Sequence, residues 1–275
     1  MFTAEQGKLL NQECSTAFNS AWEKVRRTNP DIHAQFVMSN CGIALQYLRY
    51  VHMHGIDGYT PIAVSLFRTY YEIVCSTMYL AENKTELEDF LKFGRLMYYE
   101  IGQAQKLKGR LLNQLVPDHK ELRTHFLAKK SRRGGKLLSW HGMTIDDLGK
   151  AVGMEQYADQ QIVRSQYAKA SKFVHGDSLL SLLAYSLDQA GMKPTPFAEP
   201  TVAFRIDAVG ATCGLFIALL ASVDCSLMVG FTTELDRLNS VWRKVWKETT
   251  GIDVDEALRK LNEQQQSDLR RSSRL

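Results

Sequence analysis

The sequence predicts an all-α protein, a multi-helix bundle in one domain, and three observations carry that prediction. The six prolines, at 30, 61, 117, 194, 196 and 200, leave long proline-free stretches between them, and proline is disfavoured inside helices and strands. Within those stretches apolar residues recur at steps of three and four, the helical period. No segment sustains period-two alternation between turn dipeptides, so no sheet is expected. The composition agrees: over 275 residues, 45% hydrophobic and 23% charged with a mean hydropathy of −0.24, the chain is of the soluble globular class. Disorder, collagen and small disulfide scaffolds are excluded. A chain this long buries roughly three quarters of its unfolded surface and needs no staple.

Residues 4–28 carry Leu9, Leu10, Ala17, Phe18, Trp22 and Val25 at helical spacing, and Asn29-Pro30 stops the run. Asp31 then caps a helix to about Met53, with Val37, Cys41, Ala44, Leu48 and Val51 on its inner side. Residues 54–60 form a turn, after which Thr60 is a cap and Pro61 takes the favoured first helical position. From Ile62 to Ala81 that helix is apolar nearly all round, the mark of a central element. A long amphipathic stretch follows from Asn83 or Thr85 to about Leu115, with Phe90, Phe93, Met97, Tyr98 and Ile101 as its apolar side. Pro117-Asp118 starts another helix that ends in the basic run 129–135, and residues 131–143 read as a loop.

A short helix holds Ile145, Leu148 and Val152. A longer one runs from Glu155 to His175 and stops at Gly176, a left-handed cap. Ser178–Gln189 is a further helix and Pro194–Pro200 an extended connector. Val202 to Phe231 forms a long apolar helix, and residues 233–249 and 254–264 form two amphipathic ones. The single domain spans 1–265, leaving 266–275 as a basic tail. Only 16 uncharged residues separate Asp207 from Asp224, short of the roughly 20 that cross a bilayer. Gly210 and Gly214 instead suit a buried helix with a close neighbour, so a membrane partner is not expected.

The five cysteines, at 14, 41, 75, 213 and 225, are odd in number and lack a Cys-x-x-Cys pair. They read as reduced, buried thiols of a cytoplasmic protein. The amino terminus lacks a basic region followed by an apolar run, which also leads to a cytoplasmic expectation. No metal site is expected: His52 and His54 point to different sides of a helix, His119 and His125 are six apart, and no Glu-x-x-His pair occurs. No Gly-rich phosphate loop occurs, so no cofactor is expected. Gly176-Asp-Ser-Leu179 spells an esterase nucleophile block but lacks the preceding strand that block requires.

The net charge of +4 averages two unlike regions. Between Lys106 and Lys136 ten cations face only Asp118 and Glu121, a local +8 that leaves −4 for the remainder. Lys129, Lys130, Arg132, Arg133 and Lys136 are its densest part. Such a concentration suits a phosphate backbone, which binds Lys and Arg through counterion release, and it equally suits a solvated helix face with a loop. Two further constellations stand out. Arg68 and Glu72 share a face four residues apart in the apolar 62–81 helix, where each needs a partner. Tyr167, Ser171 and His175 stand at steps of four, a polar stripe drifting about 40° per step. They could line a site around an acid/base histidine or cross-link a bundle.

Arg68-x-x-x-Glu72 followed by Met78-Tyr79-Leu80, the Phe90–Gly94 helix, Trp140, and Tyr167-x-x-x-Ser171-x-x-Val174-His175-Gly176 resemble an uncharacterised bacterial family of helical proteins. That family is in turn similar to the HEPN helical superfamily, which includes abortive-infection proteins and toxin ribonucleases. The resemblance covers about residues 60–185 and implies a HEPN-like core over about 60–190 with additional N- and C-terminal helices. It also implies a homodimer. HEPN ribonucleases place an Arg four to six residues before the catalytic His. Here Arg164 is eleven residues before His175, about 16 Å along the helix, and Lys169, at the six-residue offset, points about 120° away. Arg68 from another helix would have to replace the missing arginine. The expected function is a bacterial defence or toxin-type effector that binds or cleaves RNA without a metal, with His175 as acid/base, Arg68 on the phosphate, and Glu72, Tyr167 and Ser171 beside them. A non-catalytic sensor or protein-interaction module and a membrane-associated effector are the alternatives.

Overall fold

The computed structural model describes residues 2–56, 60–106, 109–128, 140–154, 202–254 and 256. Among these residues there are nine α-helices and no strand, so the all-α expectation holds. In chain order they are α1 (Ala4–Arg27), α2 (Ile32–Ile56), α3 (Thr60–Glu82), α4 (Leu87–Ala104), α5 (Gly109–Leu115), α6 (His119–Ala128), α7 (Ile145–Ala151), α8 (Val202–Leu227) and α9 (Thr232–Thr250). The expected helices between 155 and 201, the loop 131–139 and the carboxyl-terminal helix and tail lie outside the described residues.

Local chemistry sets the helix boundaries. Thr3 and Gln6 form a reciprocal capping box at the start of α1, each side chain bonding the other's backbone N–H. The helix ends where Asn29 turns left-handed (φ 51°) ahead of Pro30. Asp31 accepts from the Ala34 N–H at 2.8 Å, the cap expected for α2. The stretch expected as one helix from 85 to 115 is broken. A 3-10 turn occupies Lys84–Glu86, and α4 stops where Lys106 adopts φ 57° before α5 begins. Tyr98 and Ile101, expected on the inner side of α4, are 55% and 57% exposed, and α4 buries Leu87 and Leu96 instead.

The core lies where α2, α3 and α8 pack on one another, with α1 and α9 closing it and α7 seated on α3. The α4–α6 hairpin is a satellite, joined to the rest through Phe36, Phe90, Tyr79 and the buried Trp140. The Trp140 ring meets Phe90 edge-on at 5.4 Å. The 18-residue window Gly210–Leu227 in α8 is long and apolar enough to span a membrane by length and composition, and just over half of it is buried against other helices. Trp242 and Trp246 of α9 lie over Gly210 and Gly214, and the Trp242 ring N–H donates to the Gly210 carbonyl at 2.9 Å. The glycines admit a close neighbour, as their spacing suggested.

Polar clamps fasten α1 to α9. Glu234 takes a hydrogen bond from Ser20 at 2.7 Å and an ion pair from Lys24 at 2.8 Å, while Arg237 pairs with Glu13 at 2.6 Å. The Lys24 ammonium, then the Ser20 hydroxyl, hold the Glu234 carboxyl down at about 2. Because the folded value is depressed, the clamp stabilises the fold fully above the ordinary carboxylate value near 4.5 and is lost as pH falls toward 2. Lys24 and Glu234 are both partly solvated, so the worth of the pair is limited to about 1 kcal/mol. Glu234→Gln should therefore lower stability at pH 7 by about that amount and flatten the decline between pH 4.5 and 2, read by urea unfolding across pH.

Candidate functional site

Of the residues expected to form a site, Arg68 and Glu72 are described. They lie one turn apart on α3 with Nε and Oε1 3.3 Å apart, so the expected ion pair is present. Their side chains are 24% and 43% exposed, which places the pair at the margin of the bundle rather than in its core. Between them on the same helix, Tyr70 and Tyr71 turn inward. Gly149 of α7 approaches Tyr71 so closely that a β-carbon there would sit 3.0 Å from the phenol oxygen. Tyr167, Ser171 and His175, and with them the proposed shared pocket, lie outside the described residues, as do Lys129, Lys130, Arg132, Arg133 and Lys136.

The described part of the basic segment is solvent-facing: Lys106, Arg110, Lys120 and Arg123 are all exposed. Yet the local +8 is a property of sequence, and folding brings acidic neighbours to it from outside the counted window. Arg123 pairs with Glu100 of α4, and His125 approaches Asp89 at 3.1 Å. Arg95 of α4 in turn pairs with Asp118 at 2.6 Å. The rings of Tyr99 and His119 stack at 4.1 Å between α4 and α6. All of these contacts clasp the hairpin; those to Glu100 and Asp89 reduce the field its basic side presents, while Arg95 offsets an acid already counted in the +8.

A polar column inside the core was not anticipated. His52, fully buried, bonds Asn11 of α1 through Nδ1 at 2.7 Å and the Thr212 hydroxyl of α8 through Nε2 at 2.8 Å. Asn11 Oδ1 accepts from Nδ1–H, and Nε2 meets the Thr212 hydroxyl, a group that can donate or accept. The Tyr70 hydroxyl donates to the Thr212 carbonyl at 2.8 Å. Beside it Cys14 and Cys213 bring their sulfurs to 3.6 Å. Burial pushes the Tyr70 phenol well above its ordinary value and the Cys41 and Cys75 thiols up to about 12. The phenol and these thiols are therefore neutral at physiological pH, and His52, Asn11, Thr212 and Tyr70 tie α1, α2, α3 and α8 by hydrogen bonds. The signal was in the sequence: His52 continues the inner stripe Cys41, Leu45, Leu48 at steps of three and four.

Among the described residues no group of three His, Cys, Asp or Glu is placed to hold a metal ion. A cleft of about 600 Å³ opens where α1, α3 and α8 all end, lined by Asn29, Asp31, His33, Glu82, Lys84 and Met228 among others. Its charges are largely committed: Asp31 pairs with Lys84 at 2.6 Å, and Glu82 accepts from Ser222. Four cysteines are buried as expected, but Cys225 is exposed.

A family model described as "Family of unknown function (DUF5677)" matches residues 47–190, just over half of the chain. The chain belongs to that family. No curated protein and no solved structure matches it. The DUF5677 segment runs from the end of α2 through α3 to α7 and beyond. It includes Arg68, Glu72, the whole basic segment, Tyr167, Ser171 and His175. Helices α1, α8 and α9, and most of α2, fall outside it. Two thirds of the polar column therefore comes from outside the DUF5677 segment: His52 and Tyr70 lie within it, while Asn11, Cys14, Thr212 and Cys213 do not. The flanking helices complete the core of the family segment rather than forming a unit of their own.

Proposed function

We infer that this DUF5677 protein is a cytoplasmic, RNA-directed effector of the bacterial defence or toxin type. In this reading its core is distantly HEPN-like, it acts as a homodimer, and His175 works as acid/base at a phosphate that Arg68 stabilises without a metal. Glu72, Tyr167 and Ser171 orient these two groups. The observation that carries the reading is the cationic segment 106–136, whose described members, Lys106, Arg110, Lys120 and Arg123, are all exposed to solvent. Arg68, held by its bond to Glu72 at the margin of the bundle, is placed on the helix as the phosphate role requires of a fixed cation.

The test is incubation of the purified protein with tRNA and mRNA beside His175→Ala and Arg68→Ala. Cleavage should fall by about 10²–10⁴-fold in the histidine variant. Binding of single-stranded RNA should weaken with salt. A footprint of about six phosphates gives a slope of log K against log salt of roughly −4, and replacing Lys129, Lys130, Arg132 and Arg133 with Ala should flatten it. Salt-independent binding, or cleavage unchanged in both variants, would overturn the reading. Salt-dependent binding without cleavage would leave a non-catalytic binding module.

A further inference from the structure

The Cys14–Cys213 contact has no part in that reading. The two residues are 199 apart in sequence, yet α1 and α8 bring their sulfurs to 3.6 Å in a fully buried setting. A disulfide is about 2.05 Å long, so roughly 1.6 Å of approach separates the reduced pair from a bond. We propose that Cys14 and Cys213 form an oxidation site, which hydrogen peroxide converts to a disulfide tying α1 to the central helix α8.

The site is selective by position. Cys41 and Cys75 are also buried, but no sulfur contact joins them to each other or to the pair among the described residues, and Cys225 is exposed. The two sulfurs share one S–H contact in which either can donate, and attack from either leads to the same disulfide; with Cys14 attacking, Cys213 resolves. The Cys14 thiolate takes one oxygen of the peroxide, the O–O bond breaks, and water leaves after protonation. Cys213 then attacks the sulfenic sulfur. The S–S bond forms, the S–O bond breaks, and the hydroxyl departs as a second water with the Cys213 proton. Two thiols lose two electrons in total and one peroxide gains them.

Cys213 directly follows Thr212, whose hydroxyl and carbonyl hold His52 and Tyr70, so the cross-link would lock the polar column in place. Closing so long a loop restrains the unfolded chain strongly. The oxidised protein should melt roughly 10 °C higher than the reduced one.

The experiment uses the full chain carrying Cys225→Ser, which removes the exposed thiol as a competitor. The protein is treated with hydrogen peroxide while folded, then unfolded in an alkylating agent, digested without reductant and analysed by mass spectrometry. The expected product is a pair of peptides joined through Cys14 and Cys213 with loss of two hydrogens, separated again by dithiothreitol, together with the higher Tm. Full alkylation of both cysteines after peroxide, or separate sulfinic acids at each, would overturn the proposal and leave only a packed thiol contact. A Tm rise that persists in Cys14→Ala would do the same. None of these outcomes bears on RNA binding, so the two readings stand or fall separately.

Discussion

Gly210→Ala is expected to destabilise the protein by about 2 kcal/mol, whereas Gly94→Ala should stabilise it by about 1 kcal/mol, although both place the same methyl group in a helix. The difference lies in what the new carbon meets. At Gly210 it would sit 2.0 Å from Cζ3 and 2.3 Å from Cε3 of Trp246, atoms in the body of a ring that cannot bend away. Overpacking of this kind costs about 3 kcal/mol, and the gain in helix propensity returns only about 1. At Gly94, exposed on α4, nothing lies within 4 Å, so the propensity gain stands alone. Urea unfolding checks both, with the midpoint moving and the slope unchanged. Trimming the ring tests the mechanism: in a Trp246→Ala background, Gly210→Ala should cost nothing or stabilise, a coupling of about 2 kcal/mol or more. Equal costs in both backgrounds would mean that α8 and α9 do not meet along this seam.

That seam shows how far the sequence reaches. Gly210 and Gly214 announced a close neighbour because two small residues four apart clear one strip of a helix. Trp242 and Trp246, also four apart, could fill such a strip. Nothing local, however, says that these residues meet, because pairing between helices is decided by the whole bundle. Helix starts were legible where a side chain caps its own backbone, as at Asp31. The end of α4 was not, because Lys106 takes its left-handed conformation at a position that carries neither glycine nor proline. Tyr98 and Ile101 misled for a related reason: they extend the apolar face of α4 yet stand exposed, because periodicity along one helix does not say how far its neighbours reach. The Arg68–Glu72 pair was legible because four residues bring two side chains together whatever surrounds them. The polar column was not, since it joins four helices that no local spacing brings together.

His52→Ala is the variant expected to cost most, about 4 kcal/mol. The ring is fully buried and bonded at both nitrogens, so truncation removes two hydrogen bonds at once. It takes the ring away from the Asn11 amide oxygen and the Thr212 hydroxyl, each of which then carries a desolvation cost of about 1–3 kcal/mol if no other group takes its place. It also leaves a cavity as large as an imidazole where α1, α2 and α8 meet, a further loss of about 2 kcal/mol before relaxation. Thr212→Val keeps the shape and removes only the hydroxyl, so it should cost about 1–2 kcal/mol. Ile43→Ala, on the exposed side of the same helix, should cost under about 1 kcal/mol. The order His52→Ala, then Thr212→Val, then Ile43→Ala is the test, read from urea midpoints. If His52→Ala proved no worse than Ile43→Ala, the ring would not be the tie that holds α1 and α8 to the DUF5677 core. Loss of His52 should also loosen α1 specifically, visible as faster amide exchange along residues 7–21 than along α3. The ring joins α1 to α2 and α8, whereas α3 keeps its own apolar contacts with both.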